Sequence, residues 1–267
     1  MLAAAAACSR QGTDGSRMVE WNFNAVMTRA TLDQDGHFAW SAGDRIAVWN
    51  ATSGAFVPFS SPTGSGLFSA TAPADARFTD CAVYPAARAV SVSAVTLPGS
   101  YASAAESAKS FPLHAQVEDG SALLSFRHLG ALLSVPMTYL PNGSATLEIG
   151  SASHGLSGTF TLSEGTPRQI AAAAGSGTVR VPIPSGQLSF TAVIPVPTGK
   201  YPLSIRVLDA TDTELFSLEG TDPITFERAH LYVLEKIEAD SSVSRPISVA
   251  TAESLEVQDD SDAWSHE

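Results

Sequence analysis

The chain has 267 residues, 44% of them apolar, enough to bury a sizeable core in one large domain or two small ones. Only 16% are charged and the net charge is −12, half of it supplied within residues 253–267 by Glu253, Glu256, Asp259, Asp260, Asp262 and Glu267. Such a surface repels phosphate backbones, which excludes nucleic acid as a partner, and no apolar run of about 18 residues exists to cross a membrane as a helix.

At the start, Leu2-Ala3-Ala4-Ala5-Ala6-Ala7-Cys8 sets small residues before a cysteine. It resembles the end of a bacterial lipoprotein signal, of which only the last few residues are present, with Cys8 as the lipidated residue. Residues 10–18 read as a polar tether. Residues 19–26 then alternate, with Val19, Trp21, Phe23 and Ala25 on one face and Glu20, Asn22 and Asn24 on the other, the pattern of a half-buried strand. The polar stretch Met27-Thr28-Arg29-Ala30-Thr31 follows, with one basic residue.

Residues 37–49 read as two strand pieces around a turn capped by Asp44, with Trp40, Ile46 and Val48 inward and Trp49 outward. Residues 51–76 read as short strands between Gly-, Ser- and Pro-rich loops, and 78–84 and 91–97 as further strands. Residues 101–109, Ala-rich between Pro98-Gly99 and Pro112, are the one helical stretch. Cys81, beside an apolar strand, reads as a small buried hydrophobe.

The run from Leu123 to Val135 is interrupted by Arg127, His128 and Gly130 and ends at Pro136; it predicts one long kinked strand at the pivot between two β-domains, with His128 hydrogen-bonded there. Strands are expected at 146–149, 156–162, 178–183, 187–194, 201–208 and 231–237. Leu188, Phe190, Ala192 and Ile194 should face inward, and 195–199 should act as a hairpin-like connection. Residues 244–251 and 255–257 alternate again, ahead of an acidic end. The organisation expected is a tether over 1–17, β-domains over 18–119 and 120–240, and a tail over 241–267.

Six histidines occur without metal-ligand spacing, and neither a Gly-x-Ser-x-Gly elbow nor a phosphate-cradling loop is present, so neither catalysis nor a cofactor is expected.

Three ordered segments carry a family resemblance: Trp40-x-x-Gly43-Asp44-x-Ile46-x-Val48, Ala82-Val83-Tyr84-Pro85, and Phe126-x-His128-x-x-Ala131-x-Leu133-x-Val135. The set resembles the fimbrillin-like surface lipoproteins of Gram-negative bacteria, which include type V pilus subunits. The resemblance implies an all-β fold of two tandem transthyretin-like β-sandwich domains and a lipid anchor at the outer membrane. It further implies cleavage between Arg29 and Ala30 that frees the first strand with Val19, Trp21 and Phe23, and a tail strand with Ile247, Val249, Leu255 and Val257 for donation. The partners implied are other fimbrial subunits, as homo- or hetero-polymers, and a surface receptor. The competing expectation is a surface-anchored glycan-binding lipoprotein using exposed aromatics, for which Trp49, Tyr101 and Trp264 are the candidates.

Overall fold

The computed structural model describes residues 17–27, 39–173, 175, 177–239 and 243–256. Strand β1 (Met18–Met27) precedes β2 (Arg45–Asn50), β3 (Ala55–Ser60), β4 (Leu67–Pro73) and β5 (Phe78–Tyr84). Next come β6 (Ala89–Ser91), β7 (Ala94–Leu97), helix α1 (Ala104–Lys109), β8 (Leu113–Val117) and β9 (Leu123–His128). The helix begins three residues later than the composition suggested because Ser103 caps it, its Oγ accepting from the Glu106 amide at 3.1 Å while the Glu106 carboxylate accepts from the Ala102 amide at 2.6 Å.

Strands β1-β4-β3-β2-β5-β8-β9 close into a barrel. The all-β expectation holds, but the first unit is closed rather than an open sandwich, because β1 pairs antiparallel with β4 and parallel with β9 and so leaves no free edge between them. Inside lie Phe23, Ile46, Val48, Phe59, Phe68, Phe78, Ala82, Tyr84, Leu113, Leu124 and Phe126. Trp40 sits edge-on to Phe68, Tyr84 and Phe126 at 4.9–5.7 Å, an arrangement aromatic quadrupoles favour. The Asp44 Oδ2 accepts from the Ser41 amide at 2.7 Å, the expected turn cap, and Cys81 is buried and unpaired.

The second half runs β10 (Ala131–Thr138), β11 (Thr146–Gly150), β12 (Gly158–Thr161), β13 (Val179–Pro182), β14 (Ser189–Val196), β15 (Gly199–Tyr201) and β16 (Ser204–Leu208). It ends with β17 (Glu214–Gly220), β18 (Ile224–Phe226), β19 (His230–Leu234), β20 (Ile237–Glu238), β21 (Val243–Arg245) and β22 (Val249–Ser254). A sheet in the order β14-β10-β19-β22, with β20 also on β10, faces a sheet in the order β13-β11-β16-β17-β21. Between them pack Leu133, Val135, Ile194, Leu147, Ile149, Val181, Ile205, Val207, Phe216 and Leu218. A smaller sheet, β12-β7-β6, covers a third apolar cluster around Val83, Val95, Leu129 and Ile170.

The run from Leu123 to Val135 is two strands rather than one. β9 belongs to the barrel and β10 to the second unit, and the chain steps between them at Leu129-Gly130. Strand β10 is buried on both faces, which explains its unbroken apolar run: Leu133 and Val135 enter the second core, while Leu132 joins Val193 and Leu231 against the barrel. A Cβ on Gly130 would lie 2.5 Å from the Val196 carbonyl oxygen. Gly130→Ala is therefore expected to cost about 1–3 kcal/mol through a forced backbone shift, read as a lower urea midpoint with an unchanged slope.

Two further expectations are corrected, and one strand was not foreseen. Leu188 is 76% exposed, because the pairing of β14 with β10 stops at Ser189↔Thr138 and Leu188 lies beyond it. Residues 195–199 are not a hairpin: β14 pairs with β10 and β16 with β11, so this segment crosses from one sheet to the other. Strand β17, in which Phe216 and Leu218 are buried but Leu215 breaks the apolar–polar alternation, was not among the strands expected.

Candidate assembly site

Strand β1 is held at both edges. Its register with β4 runs from Met18↔Pro73 to Asn24↔Leu67, and with β9 from Asn24↔Leu123 to Met27↔Phe126. The alternation read in the sequence is realised: Phe23 and Ala25 are buried, Val19 and Trp21 half-buried, and Glu20, Asn22 and Asn24 exposed. Phe23 meets Phe59 and Phe78 edge-on at 5.1 and 5.8 Å, and Trp21 meets Phe78 at 5.1 Å. The indole of Trp21 donates to the Pro73 carbonyl at 3.2 Å and that of Trp40 to the Ala25 carbonyl at 3.1 Å. At Gly66 the backbone is left-handed, with φ +84°, and a Cβ there would meet the Ala25 carbonyl at 2.8 Å, so a side chain would push β1 away.

Withdrawal of β1 would expose Phe59, Phe68 and Phe78 to a slot whose walls, β4 and β9, both carry backbone groups that pair with β1. Such a slot accepts any strand of matching alternation. Arg29 and Ala30, the expected cleavage pair, lie outside the described residues, as do Cys8, Val257 and Trp264.

The tail is packed against its own chain. Strand β21 runs parallel to β17 and β22 antiparallel to β19. Ile247 is buried in the second core, Val249 is half-buried opposite Leu234, and Leu255 is buried in the barrel cluster, its amide donating to the Ala229 carbonyl at 2.7 Å. Glu256 fastens the end. Its carboxylate takes two hydrogen bonds from the Arg228 guanidinium at 2.7 and 2.8 Å and one from the His128 amide at 2.9 Å. Burial alone would raise the Glu256 carboxyl, but Arg228 and the His128 amide outweigh it and hold the group below its ordinary range. An acidic end, by composition alone, carries no sign of Glu256 as a buried clasp.

His128 departs from expectation in one respect. Its backbone bonds at the junction, but neither ring nitrogen has a hydrogen-bond partner; the ring stacks on Phe111 at 4.4 Å. Nε2 of His114 is likewise buried without a partner. Burial pushes both imidazoles down to about 4, and the Arg168 charge adds to the effect at His114. Between pH 6.5 and about 4 the unfolded chain therefore binds protons that the folded chain does not, so stability falls as pH drops through that window. The loss at pH 4 is about 3 kcal/mol per imidazole at 1.36 kcal/mol for each unit. Thermal melts against pH should show it, and the double variant His114→Leu, His128→Leu should flatten the slope across that range.

Among the glycan-platform candidates, Tyr101 is buried and Trp49 is half-buried edge-on to Phe56 at 5.2 Å, so these two do not form an exposed aromatic shelf. No group of three or more His, Cys, Asp or Glu is placed to hold a metal among the described residues. No described helix is long and apolar enough to cross a membrane.

No protein-family model and no curated protein matches this sequence. Among solved structures, a proposed cell adhesion protein from Bacteroides ovatus is similar at 16% identity and a TM-score of 0.56, over 89% of this chain and 98% of that one. A proposed cell adhesion protein from Bacteroides uniformis aligns at 15% identity over 92% of this chain and 100% of that one, with a TM-score of 0.47. A tip fimbrial protein from Porphyromonas gingivalis aligns at 12% identity over 90% of this chain and 100% of that one, with a TM-score of 0.38. The Bacteroides ovatus likeness is one of fold, and the other two superpose too loosely to add to it.

Proposed function

We propose that the chain is a non-catalytic, structural or adhesive subunit of a bacterial cell-surface fimbria, working at the shaft, at the tip or as an accessory. It assembles with other fimbrial subunits by strand exchange and serves cell adhesion. The observation that carries this reading is the position of β1: one amphipathic strand at the N-terminal edge of the chain closes the barrel between β4 and β9, and Arg29 follows it directly in sequence. Removal of that strand turns a closed monomer into a half-site for the next subunit. The fold shared with a proposed Bacteroides cell adhesion protein supports the same reading.

In this account the two cores are tandem transthyretin-like units, the first closed by β1, and the chain passes from one to the other at Leu129-Gly130, later than the 119/120 expected, because β9 still belongs to the barrel. Cys8 carries the lipid that holds the precursor at the outer membrane. The tail residues Ile247, Val249, Leu255 and Val257 are the donated strand, which must leave its own β17, β19 and barrel contacts before it can fill a neighbour. Membrane partition of the precursor, lost on Cys8→Ser, tests the anchor.

Limited digestion with an arginine-specific protease tests assembly. The expected product begins at Ala30 and runs as a ladder of oligomers on an unboiled denaturing gel. A clean cut that leaves a monomer would remove the shaft role and leave the tip or accessory one.

A further inference from the structure

On the outer face of the barrel, β8 and β9 form the floor of a cleft of about 370 Å³, walled by the loop at 165–168. Its lining combines His114 and Gln116 from β8 with Leu123 and Arg127 from β9 and Pro167 and Arg168 from the loop. The size falls at the lower end of the range of about 300–1,000 Å³ for small-molecule sites, room for one or two sugar rings.

The charges make this cleft unlike the rest of an acidic chain. Arg127 and Arg168 both line it, against the single carboxylate of Glu118. Arg127 reaches Glu256 only at 3.7 Å, and that carboxylate is already engaged by Arg228 at 2.7 and 2.8 Å. Arg168 is steadied by a hydrogen bond from Nη1 to the Val92 carbonyl at 3.0 Å and makes no ion pair among the described residues. His114, a floor residue 94% buried from solvent, keeps an Nε2 that no protein atom satisfies. A buried polar atom without a partner is costly and calls for an explanation. Around these groups stand hydroxyls and an amide, from Ser121, Ser125, Thr166 and Gln116, and an apolar face from Pro167 and Leu123, the latter 54% exposed.

We infer that this cleft binds an acidic monosaccharide, with the carboxylate held between Arg127 and Arg168, ring hydroxyls on Ser125, Gln116 and Glu118, and the C–H face of the ring on Leu123 and Pro167. Guanidinium forks match carboxylates in charge and geometry, and a mixed polar rim with a small apolar patch suits a pyranose without any aromatic shelf. The inference goes beyond strand exchange and does not rest on it: the cleft is complete in the closed monomer.

The test titrates the full chain with glucuronate, N-acetylneuraminate, glucose and acetate, following backbone amides by NMR. Saturable shifts confined to 114–127 and 165–168 are expected for one or both acidic sugars, with dissociation constants of order 1 mM. The relative strength of the two separates a uronate from a sialate as ligand class. Glucose and acetate should bind at least tenfold more weakly, and Arg168→Met, which also gives up the bond to the Val92 carbonyl, should weaken the acidic sugar at least tenfold while amide shifts away from the cleft and from Val92 stay in place. A further readout is the His114 imidazole, whose pKa should rise from about 4 as the bound carboxylate offsets the Arg168 charge. Equal binding of glucose, shifts outside the cleft, indifference to Arg168→Met, or no saturable shift with either acidic sugar would each overturn the assignment, and none of them bears on assembly.

Discussion

A chain lacking residues 1–29 is expected to lose cooperative folding as an isolated monomer and to regain it when a peptide of residues 18–27 is supplied. Phe23 is 3% exposed at the centre of the barrel's aromatic cluster, and truncation of such a residue to alanine alone costs roughly 3–5 kcal/mol. Loss of the whole strand also strands the groups of β4 and β9 that pair with it. The sum is comparable with the roughly 5–15 kcal/mol that holds an ordinary domain together. A peptide carrying Phe23→Asp should fail to rescue, since it would bury a carboxylate among Phe59 and Phe78. Urea denaturation followed by tryptophan fluorescence reads both arms. A truncated chain that stays monomeric and melts within a few degrees of the full one would show that β1 closes nothing essential.

The second large effect concerns the clasp at the other terminus. Arg228→Met leaves the Glu256 carboxylate, whose side chain is 8% exposed, facing the junction with its two strongest hydrogen bonds gone. Breaking one side of a buried ion pair costs about 3–5 kcal/mol, whereas replacing both sides by apolar groups is close to neutral. Arg228→Met should therefore lower the melting temperature sharply, and Arg228→Met with Glu256→Met should restore most of it. The single variant should also expose β22 to hydrogen exchange before the rest of its sheet, because Leu255 and Glu256 pin the end of that strand across both cores. If the single variant melts within about 0.5 kcal/mol of the parent, Glu256 does not hold the tail. Acidification works in the same direction. Glu256 is held below its ordinary range, so its contribution is present above pH 4.5 and fades as the pH falls through its folded value.

What could be read in advance followed from local alternation. Residues 19–26 and 78–84 each have a wet and a dry side or a continuous buried run bounded by a breaker, and β1 and β5 appear there. Alternation within 201–208 likewise puts Tyr201, Leu203, Ile205 and Val207 on one face, and all four are buried. What could not be read was which strand lies beside which. Residues 195–199 look like a turn between two strands, and only the third dimension shows that β14 and β16 face each other across a core. The step at Gly130 was legible as an interruption but not as a change of sheet, because the reason for the glycine is the carbonyl of Val196, 66 positions away in sequence. The clasp was invisible for a related reason: Glu256 meets His128 and Arg228 only after both units have folded, and an acidic tail by composition gives no hint of a buried carboxylate. The cleft on β8 and β9 likewise joins residues 114–127 to 165–168, which no motif connects.

Hydrogen exchange on the cleaved protein tests the central claim most directly. In the intact chain the amides of Leu67–Pro73 and Leu123–His128 that face β1 should be protected. After arginine-specific cleavage and release of the first strand, strand exchange predicts that they lose protection in any residual monomer and recover it in the oligomers, while Val249–Ser254 leaves β19 and becomes protected in a new setting. A cleaved protein that forms oligomers while β4 and β9 stay unprotected and β22 stays on β19 would contradict assembly through the β1 slot.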